Sequence, residues 1–352
     1  MKFGVNGIIE GFYEQLWPWP VRQRFVDAVA RLGFDTYVYA PKEDRLQNAG
    51  WRTPYPDEER RQFAGLAERC NRQGMELWIG LRPVGISYAD ELDANVAIAK
   101  LRDYVELGAA RLVLLADDIP FEIDSRMAGR FTNLADAHAW LIERIQAAIP
   151  ATPIVFCPTR YHGIGSGYLR TLGAEVPPDV ELFWTGPEVC SAKITSQAAR
   201  DIAEFLGRKP LIWDNYPVND AQMVDELHIG PIRDRDPDLH EWVSGVLINS
   251  ALEPVANLIS LATWAEYLRD PAGYDPDAAW ERALALAGDA DDQAAVAALA
   301  AHADKSVIRQ PWRLPPDSPI DPLARRAASI SNQRLAQDLR RFVESLPQEA
   351  AA

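Results

Sequence analysis

Residues 111–119 read Arg-Leu-Val-Leu-Leu-Ala-Asp-Asp-Ile, an apolar run that ends in two adjacent carboxylates. Short apolar runs of this kind are typical of strands buried in a parallel sheet. Neighbouring side chains on a strand point to opposite faces, so Asp117 and Asp118 can serve one site only if the strand ends and the chain turns. Pro120 favours such a turn. Two carboxylates this close should not both ionise easily, so we expect one pKa to rise, as a general acid needs near neutral pH. Taken alone, a strand followed by an ordinary polar turn explains the pair as well.

The same alternation of a short apolar strand and an amphipathic helix recurs along the chain. Parallel strands need crossover helices, and eight such units predict an α/β fold, a TIM (β/α)8 barrel. An open doubly wound sheet is the alternative, but no glycine-rich phosphate-binding turn follows the first strand. The predicted strands are 3–9, 34–40, 76–81, 111–116, 153–157, 180–184, 210–213 and 245–249. The predicted helices are 20–32, 56–72, 89–107, 134–149, 167–172, 196–206 and 254–268.

The composition changes after residue 270, where alanine-rich segments follow. We predict a barrel catalytic domain over 1–270 and a small all-α C-terminal region over 271–352, with helices at 277–287, 293–303 and 322–346. Four prolines between 311 and 319 exclude a helix there and indicate a linker or a strap across the domain. Structural support is the role we expect for these helices.

Composition narrows the possible partners and cofactors of the 352-residue chain. A net charge of −15 argues against nucleic acid and anionic membranes. Three cysteines and five histidines lie scattered, without the spacing of a disulfide framework or a metal site, so we expect no metal and no cofactor. The chain starts without a signal peptide and has no apolar run long enough to span a bilayer, so we expect a reducing, cytoplasmic location. Oligomeric state is not predicted.

The carboxyl ends of the predicted strands, where TIM barrels place their chemistry, carry aromatic, amide and charged side chains. Such a mixture suits a sugar, because rings stack on its apolar face while amides and acids bond its hydroxyls. Each residue alone has an ordinary explanation: Trp184 as core, Cys157 as a packed thiol, Asn215 as a turn former. The candidates are Gly11, Phe12, Tyr13, Lys42, Asp117, Asp118, Cys157, Tyr161, Trp184, Trp213, Asn215, Asp220 and Asn249.

These segments resemble glycoside hydrolase family 84, the protein O-GlcNAcases and related β-N-acetylglucosaminidases. The similarity runs from about residue 4 to about residue 267, in the expected order. It is carried by Glu-Gly-Phe-Tyr at 10–13, Tyr-Ala-Pro-Lys at 39–42, Asp-Asp-Ile at 117–119, Cys-Pro-Thr-Arg-Tyr at 157–161, Trp-Thr-Gly-Pro at 184–187, Trp-Asp-Asn-Tyr-Pro-Val-Asn-Asp at 213–220 and Leu-Ile-Asn-Ser at 247–250.

The resemblance implies roles for the matched positions. Asp117 would orient and polarise the acetamido N–H of the substrate, and Asp118 would act first as general acid and then as general base. Tyr161 would help position the acetamido group, as would Asn215 at the acetamido end, in a pocket lined by Cys157 and Trp213. The other sugar contacts would come from Gly11 through its backbone, Tyr13, Lys42, Asp220 and Asn249.

Departures from the family pattern fall in loops that we expect to face the aglycone. They are Glu14 for a glycine, Glu43 for an aspartate, Arg160 for a glutamate and Leu-Arg-Pro-Val-Gly at 81–85 for Ser-Pro-Gly. None removes a catalytic group, so they bear on leaving-group preference.

The expected reaction is removal of β-linked GlcNAc with retention, by substrate-assisted catalysis through an oxazoline. The expected substrate is a GlcNAc-bearing protein or glycan. Three alternatives stay open: a conventional two-carboxylate hydrolase using Asp220, a hexosaminidase or hyaluronidase-like enzyme acting on glycan fragments, and a non-catalytic GlcNAc-binding protein.

Overall fold

Within the residues that the structure describes, eight parallel strands close into one barrel in the order of the chain. The structure is a computed structural model, and it describes residues 2–121, 123, 126–224, 226–303 and 320–345. The predicted TIM barrel is therefore confirmed. The strands are β1 (Asn6–Glu10), β2 (Thr36–Tyr39), β3 (Glu76–Leu81), β4 (Arg111–Leu115), β5 (Ile154–Cys157), β6 (Glu181–Trp184), β7 (Leu211–Asp214) and β8 (Gly245–Asn249).

Helices alternate with the strands and cover the outside of the barrel. Predicted and observed bounds of these helices differ by three residues or fewer. None of the described helices is long and apolar enough to cross a membrane. The helices are α1 (Trp19–Leu32), α2 (Asp57–Arg72), α3 (Glu91–Glu106), α4 (Leu134–Ala148), α5 (Gly167–Glu175), α6 (Ser196–Leu206) and α7 (Pro254–Arg269).

The strands are apolar on both faces because one face lines the barrel and the other contacts the helices. Val113 and Leu115 belong to the cluster that fills the barrel, whereas Leu112 and Leu114 pack on the helix side. Since side chains alternate along a strand, the inward row of β4 continues at its end with Asp117. Cys157 and Trp213 extend the inward rows of β5 and β7 in the same way.

A second apolar cluster joins the end of the barrel to the C-terminal region. Ala256 and Ile259 of α7 contribute to it, while Trp264 of the same helix packs in the cluster between strands and helices that also contains Leu112 and Leu114. The domain boundary at residue 270 stays a prediction. The region contains α8 (Pro276–Ala283), α9 (Ala290–Ala303), α10 (Ile320–Ser329) and α11 (Gln333–Ser345).

One helix prediction in this region was wrong. The segment predicted as a single helix over 322–346 is broken between α10 and α11. Ser331 donates its N–H and its hydroxyl to the two carboxylate oxygens of Asp292, and the Asn332 side chain accepts from Leu335 N at the start of α11. Serine and asparagine make such local bonds in competition with helix. The predicted proline strap at 311–319 lies outside the described residues.

Candidate active site

The two aspartates after β4 face one cavity because the chain turns immediately beyond the strand. Asp118 has a left-handed backbone with φ 54°. An aspartate adopts that conformation at a cost, and residues so held concentrate at functional sites. Asp117 is buried and Asp118 is exposed, and both line the cavity at the barrel mouth. The predicted strand end and turn are confirmed.

Asp117 is held by a buried ion pair through one of its two carboxylate oxygens. Its Oδ2 accepts from the Lys42 ammonium, whose side chain is also buried. Lys42 lies 5.9 Å from the ring centre of Tyr13 and 5.6 Å from that of Trp213. Among the described residues, the buried Oδ1 of Asp117 has no hydrogen-bond partner. A buried carboxylate oxygen without a donor is costly, so this atom is suited to receive a donor from a bound molecule.

Asp118 accepts hydrogen bonds from two tyrosines. The Tyr13 hydroxyl lies 2.6 Å from its Oδ2, and the Tyr161 hydroxyl lies 2.9 Å from its Oδ1. Burial by itself would raise the pKa of Asp118, but these two bonds and the charges of Lys42 and Arg82 together lower it below its ordinary value. The predicted rise in pKa is therefore wrong for Asp118. The reason is that the hydroxyl donors and the cations together outweigh the effect of burial.

Asn215 connects three elements on the opposite side of the mouth. Its Oδ1 accepts from Trp213 Nε1 at 3.0 Å and from Asn249 Nδ2 at 3.0 Å. Its Nδ2 donates to the carbonyl of Val189 at 2.7 Å. The amide is thus oriented by its neighbours, and Asn249 Oδ1 stays buried without a partner among the described residues.

Asp220 lies at the other end of Tyr13 from Asp118. Its Oδ2 accepts from the backbone N–H of Tyr13 at 2.9 Å, and burial raises its pKa above the ordinary value. Gly11, directly after β1, allows the backbone to approach Trp213 closely: a Cβ on Gly11 would lie 2.6 Å from the Trp213 ring. Only glycine fits where the first strand passes that ring.

All eleven predicted catalytic and substrate-binding residues line this one cavity of about 440 Å³. That volume lies within the range of small-molecule sites. Trp184 and Phe12 do not line it: both are buried in the core, where Trp184 donates to the carbonyl of Gly163. The roles of the lining residues stay predictions.

Sequence reasoning missed several residues at this site. Arg82 follows β3 and donates to the backbone carbonyls of Asp117 and Asp118, each at 3.2 Å. Its position directly after a strand end was the available signal. Unpredicted lining residues are Thr185, Val189, Cys190, Val218, Ala221, Gln222 and Met223. Thr185 and Val218 belong to quoted motifs, whereas the others come from long loops whose paths the sequence does not reveal.

The described residues contain no group of three or more histidine, cysteine, aspartate or glutamate side chains placed to hold a metal ion. The expectation of no metal and no cofactor stays a prediction.

Comparisons with known proteins agree with this geometry. A family profile described as beta-N-acetylglucosaminidase matches residues 6–301. The protein O-GlcNAcases of Rattus norvegicus and Mus musculus are each 31% identical over 271 residues, which is 73% of this chain and 29% of theirs. The chain thus spans less than a third of the length of these curated relatives.

Two solved structures superpose on nearly the whole chain. An O-GlcNAc hydrolase mutant from Thermobaculum terrenum has a TM-score of 0.84 and 32% identity, covering 98% of this chain and 75% of its own. CpGH84B has a TM-score of 0.81 with 23% identity, covering 97% and 66%, a similarity of fold. The family match spans most of the barrel and includes all the motifs quoted above, so the chain belongs to glycoside hydrolase family 84, the β-N-acetylglucosaminidases.

Proposed function

We propose that this protein is a retaining exo-β-N-acetylglucosaminidase that removes β-linked GlcNAc from serine and threonine side chains of proteins. The acetamido oxygen of the substrate attacks the anomeric carbon and forms an oxazoline. Water then opens the oxazoline, so that the product keeps the β configuration. The family membership and the relatives named O-GlcNAcase support the substrate class.

The observation that carries the proposal is the buried Oδ1 of Asp117, which no described residue bonds, beside the exposed carboxylate of Asp118. A 2-acetamido group supplies the donor that this atom lacks, through its N–H. As the acetamido oxygen attacks, positive charge develops on the amide nitrogen, and the fixed carboxylate of Asp117 stabilises it. The Lys42 ion pair holds that carboxylate in place.

Asp118 supplies the proton for the leaving oxygen and later removes one from water. In the free site its pKa is lowered, in part by bonds from Tyr13 and Tyr161. A sugar that replaces water around Asp118 and draws the tyrosine hydroxyls to itself raises that pKa. The acid would therefore acquire its proton on substrate binding, which suits an acid that serves only the bound sugar.

The arrangement of carboxylates disfavours a conventional pair of catalytic acids. Retaining enzymes of that kind hold two carboxyl groups roughly 5 Å apart, on either side of the sugar. Asp117 and Asp118 both follow the end of one strand. Asp220 accepts from the backbone N–H of Tyr13, whereas Asp118 accepts from the hydroxyl at the far end of the same residue. In the proposed mechanism Asp220 binds the outer hydroxyls, together with Lys42, Asn249 and the backbone of Gly11.

The proposed location is the cytoplasm. All three cysteines are free, and two of them are buried. Unpaired thiols suit a reducing compartment.

Assays with two substrates and one polymer test the function. Aryl β-N-acetylglucosaminide and a peptide carrying β-O-linked GlcNAc on serine should both be hydrolysed, and NMR should show β-GlcNAc as the first product. Release of α-GlcNAc first would contradict retention. Cleavage of hyaluronan without cleavage of the glycopeptide would favour the glycan-fragment alternative, and binding of GlcNAc without hydrolysis would favour a binding protein.

A further inference from the structure

Glu14 adopts a left-handed backbone conformation at the rim of the cavity. Its φ is 66°, and it stands where the family pattern has glycine, the residue that adopts this conformation without cost. For most other L-residues the left-handed region is unfavourable, because the Cβ comes too close to the following carbonyl oxygen. A glutamate held in this way requires contacts that offset the cost, and those contacts are present.

The Glu14 carboxylate reaches across the mouth of the barrel. Its Oε2 accepts the backbone N–H of Ala221 at 3.1 Å, while the N–H of Tyr13 donates to the Asp220 carboxylate at 2.9 Å. Two consecutive residues of the β1 loop therefore exchange bonds with two consecutive residues of the β7 loop. We call these four residues, Tyr13, Glu14, Asp220 and Ala221, the loop clasp. Three of the four line the cavity.

The clasp extends to a third loop. The backbone N–H of Glu14 donates to Oε1 of Glu43 at 3.1 Å, and Glu43 follows Lys42 directly. Tyr13 in turn donates its hydroxyl to Asp118. Glu14 does not line the cavity itself, but its bonds join the segments that carry Tyr13, Lys42 and Asp220.

We propose that Glu14 is a positioning residue: its carboxylate holds Ala221, and through the clasp it fixes Asp220 and Tyr13 for the sugar. The inference rests on the proposed function, because it assigns Asp220 to hydroxyl binding. Asp220 lies away from the bond that breaks, so loosening the clasp weakens binding of the sugar more than it slows the chemical step.

Glu14→Gly and Glu14→Gln separate the bond from the backbone conformation. Glu14→Gly removes the acceptor and relieves the left-handed φ, so we expect KM for an aryl β-N-acetylglucosaminide to rise about three- to tenfold with kcat within twofold. Its thermal midpoint should not fall, since glycine adopts this conformation freely. Glu14→Gln keeps an oxygen that accepts from Ala221, so its KM should stay within twofold of the wild type.

Asp234→Gly is the matched control, because Asp234 also has a left-handed φ, 59°, and does not line the cavity. It should leave KM unchanged. A wild-type KM in Glu14→Gly, an equal rise in Glu14→Gln, or an equal rise in Asp234→Gly would overturn the proposal.

Calorimetric titration with free GlcNAc separates this proposal from the proposed function. An inactive wild type that binds GlcNAc more tightly than Glu14→Gly would contradict the function and support the clasp. An active wild type with the same affinity for GlcNAc as Glu14→Gly would contradict the clasp and leave the function standing.

Discussion

Asp117 and Asp118 are adjacent in the chain but differ in environment, and this difference separates their proposed roles. Asp117 is buried against an ammonium group, whereas Asp118 is exposed and receives two hydroxyl donors. A fixed, paired carboxylate suits stabilisation of developing positive charge, and an exposed carboxyl suits proton transfer. The two residues should therefore respond differently to the same substitution.

Asp118→Asn should affect substrates according to their leaving group. A poor leaving group needs protonation, so we expect a loss of about 10²–10⁴-fold in the first step, while an aryl group with an acidic phenol should lose much less. Pre-steady-state kinetics on the two kinds of substrate measures that step. Equal losses would count against the role of Asp118 as acid.

Asp117→Asn should instead slow substrates of both kinds. An amide lacks the charge that stabilises the developing positive nitrogen, so a loss of about 10²–10³-fold in kcat/KM is expected whatever the leaving group. The same pair of substrates measures it, with circular dichroism as a check on folding. If a folded Asp117→Asn variant showed the same leaving-group dependence as Asp118→Asn, the separate roles assigned to the two aspartates would be contradicted.

At the residue scale, sequence patterns located the site but not its electrostatics. Strand ends and motifs placed Asp117, Asp118 and Asn215 correctly around one cavity. The direction of the Asp118 pKa depended on tyrosines 105 and 43 residues away in the chain, whose hydroxyl positions follow only from the closed barrel. Arg82 was missed for the same reason: its position after a strand end places it near the barrel mouth, but its bond to the carbonyl after β4 follows only from the closed barrel.

At the element scale, the strands and helices of the barrel were predictable because the hydrophobic periodicity, and the glycines and prolines at the ends of elements, agree with the tertiary fold. The break between α10 and α11 was not, because it depends on the distant Asp292, which bonds Ser331. The paths of the long loops that bring Val189 and Gln222 to the cavity could not be predicted from the sequence either. Local pattern predicts elements, whereas contacts between distant segments decide where they stop and where loops lie.

Helix α7 offers a test of how the C-terminal region supports the barrel. Its N-cap, Glu253, makes no side-chain capping bond, but Asp338 of α11 accepts from Val255 N at 2.6 Å and from Ala256 N at 3.2 Å. Asp338→Ala should lower the free energy of unfolding by about 1–2 kcal/mol, as for loss of a helix cap. Urea titration at pH 8 measures it.

Asp338→Asn is the control, because its amide oxygen still accepts a bond, and it should lose less than Asp338→Ala. An Asp338→Ala variant as stable as the wild type would show that α11 does not act as the cap of α7.

At the scale of the whole molecule, Glu253 should make stability depend on pH. Burial raises its pKa from 4.5 to about 7, although a bond from Asn219 acts in the opposite direction. The folded state therefore keeps a proton that the unfolded chain loses, so the free energy of unfolding falls as pH rises from about 4.5 to 7. The loss is on the order of 3 kcal/mol by pH 8, because one pKa unit corresponds to about 1.4 kcal/mol.

Glu253→Gln removes this titration while keeping an acceptor for Asn219. We expect the variant to match the wild type at pH 5 and to be more stable at pH 8, measured by urea unfolding across that range. Asp338, whose pKa burial raises to about 6, adds a dependence of the same sign that both proteins share. Parallel pH profiles for the two proteins would contradict a protonated Glu253 in the fold.

The central claim is that the nucleophile belongs to the substrate. Aryl glycosides with mono-, di- and trifluoroacetyl groups on the 2-amino nitrogen withdraw electron density from the acetamido oxygen while changing its shape modestly. The cavity around Cys157 and Trp213 is a steric limit, so an N-propionyl substrate serves as the control for bulk.

The most direct measurement is kcat/KM across that fluorine series. We predict a steep fall with each fluorine, each tenfold drop corresponding to about 1.4 kcal/mol of lost transition-state stabilisation. A flat series, with the propionyl substrate also accepted, would contradict substrate assistance and indicate a carboxylate nucleophile in the protein.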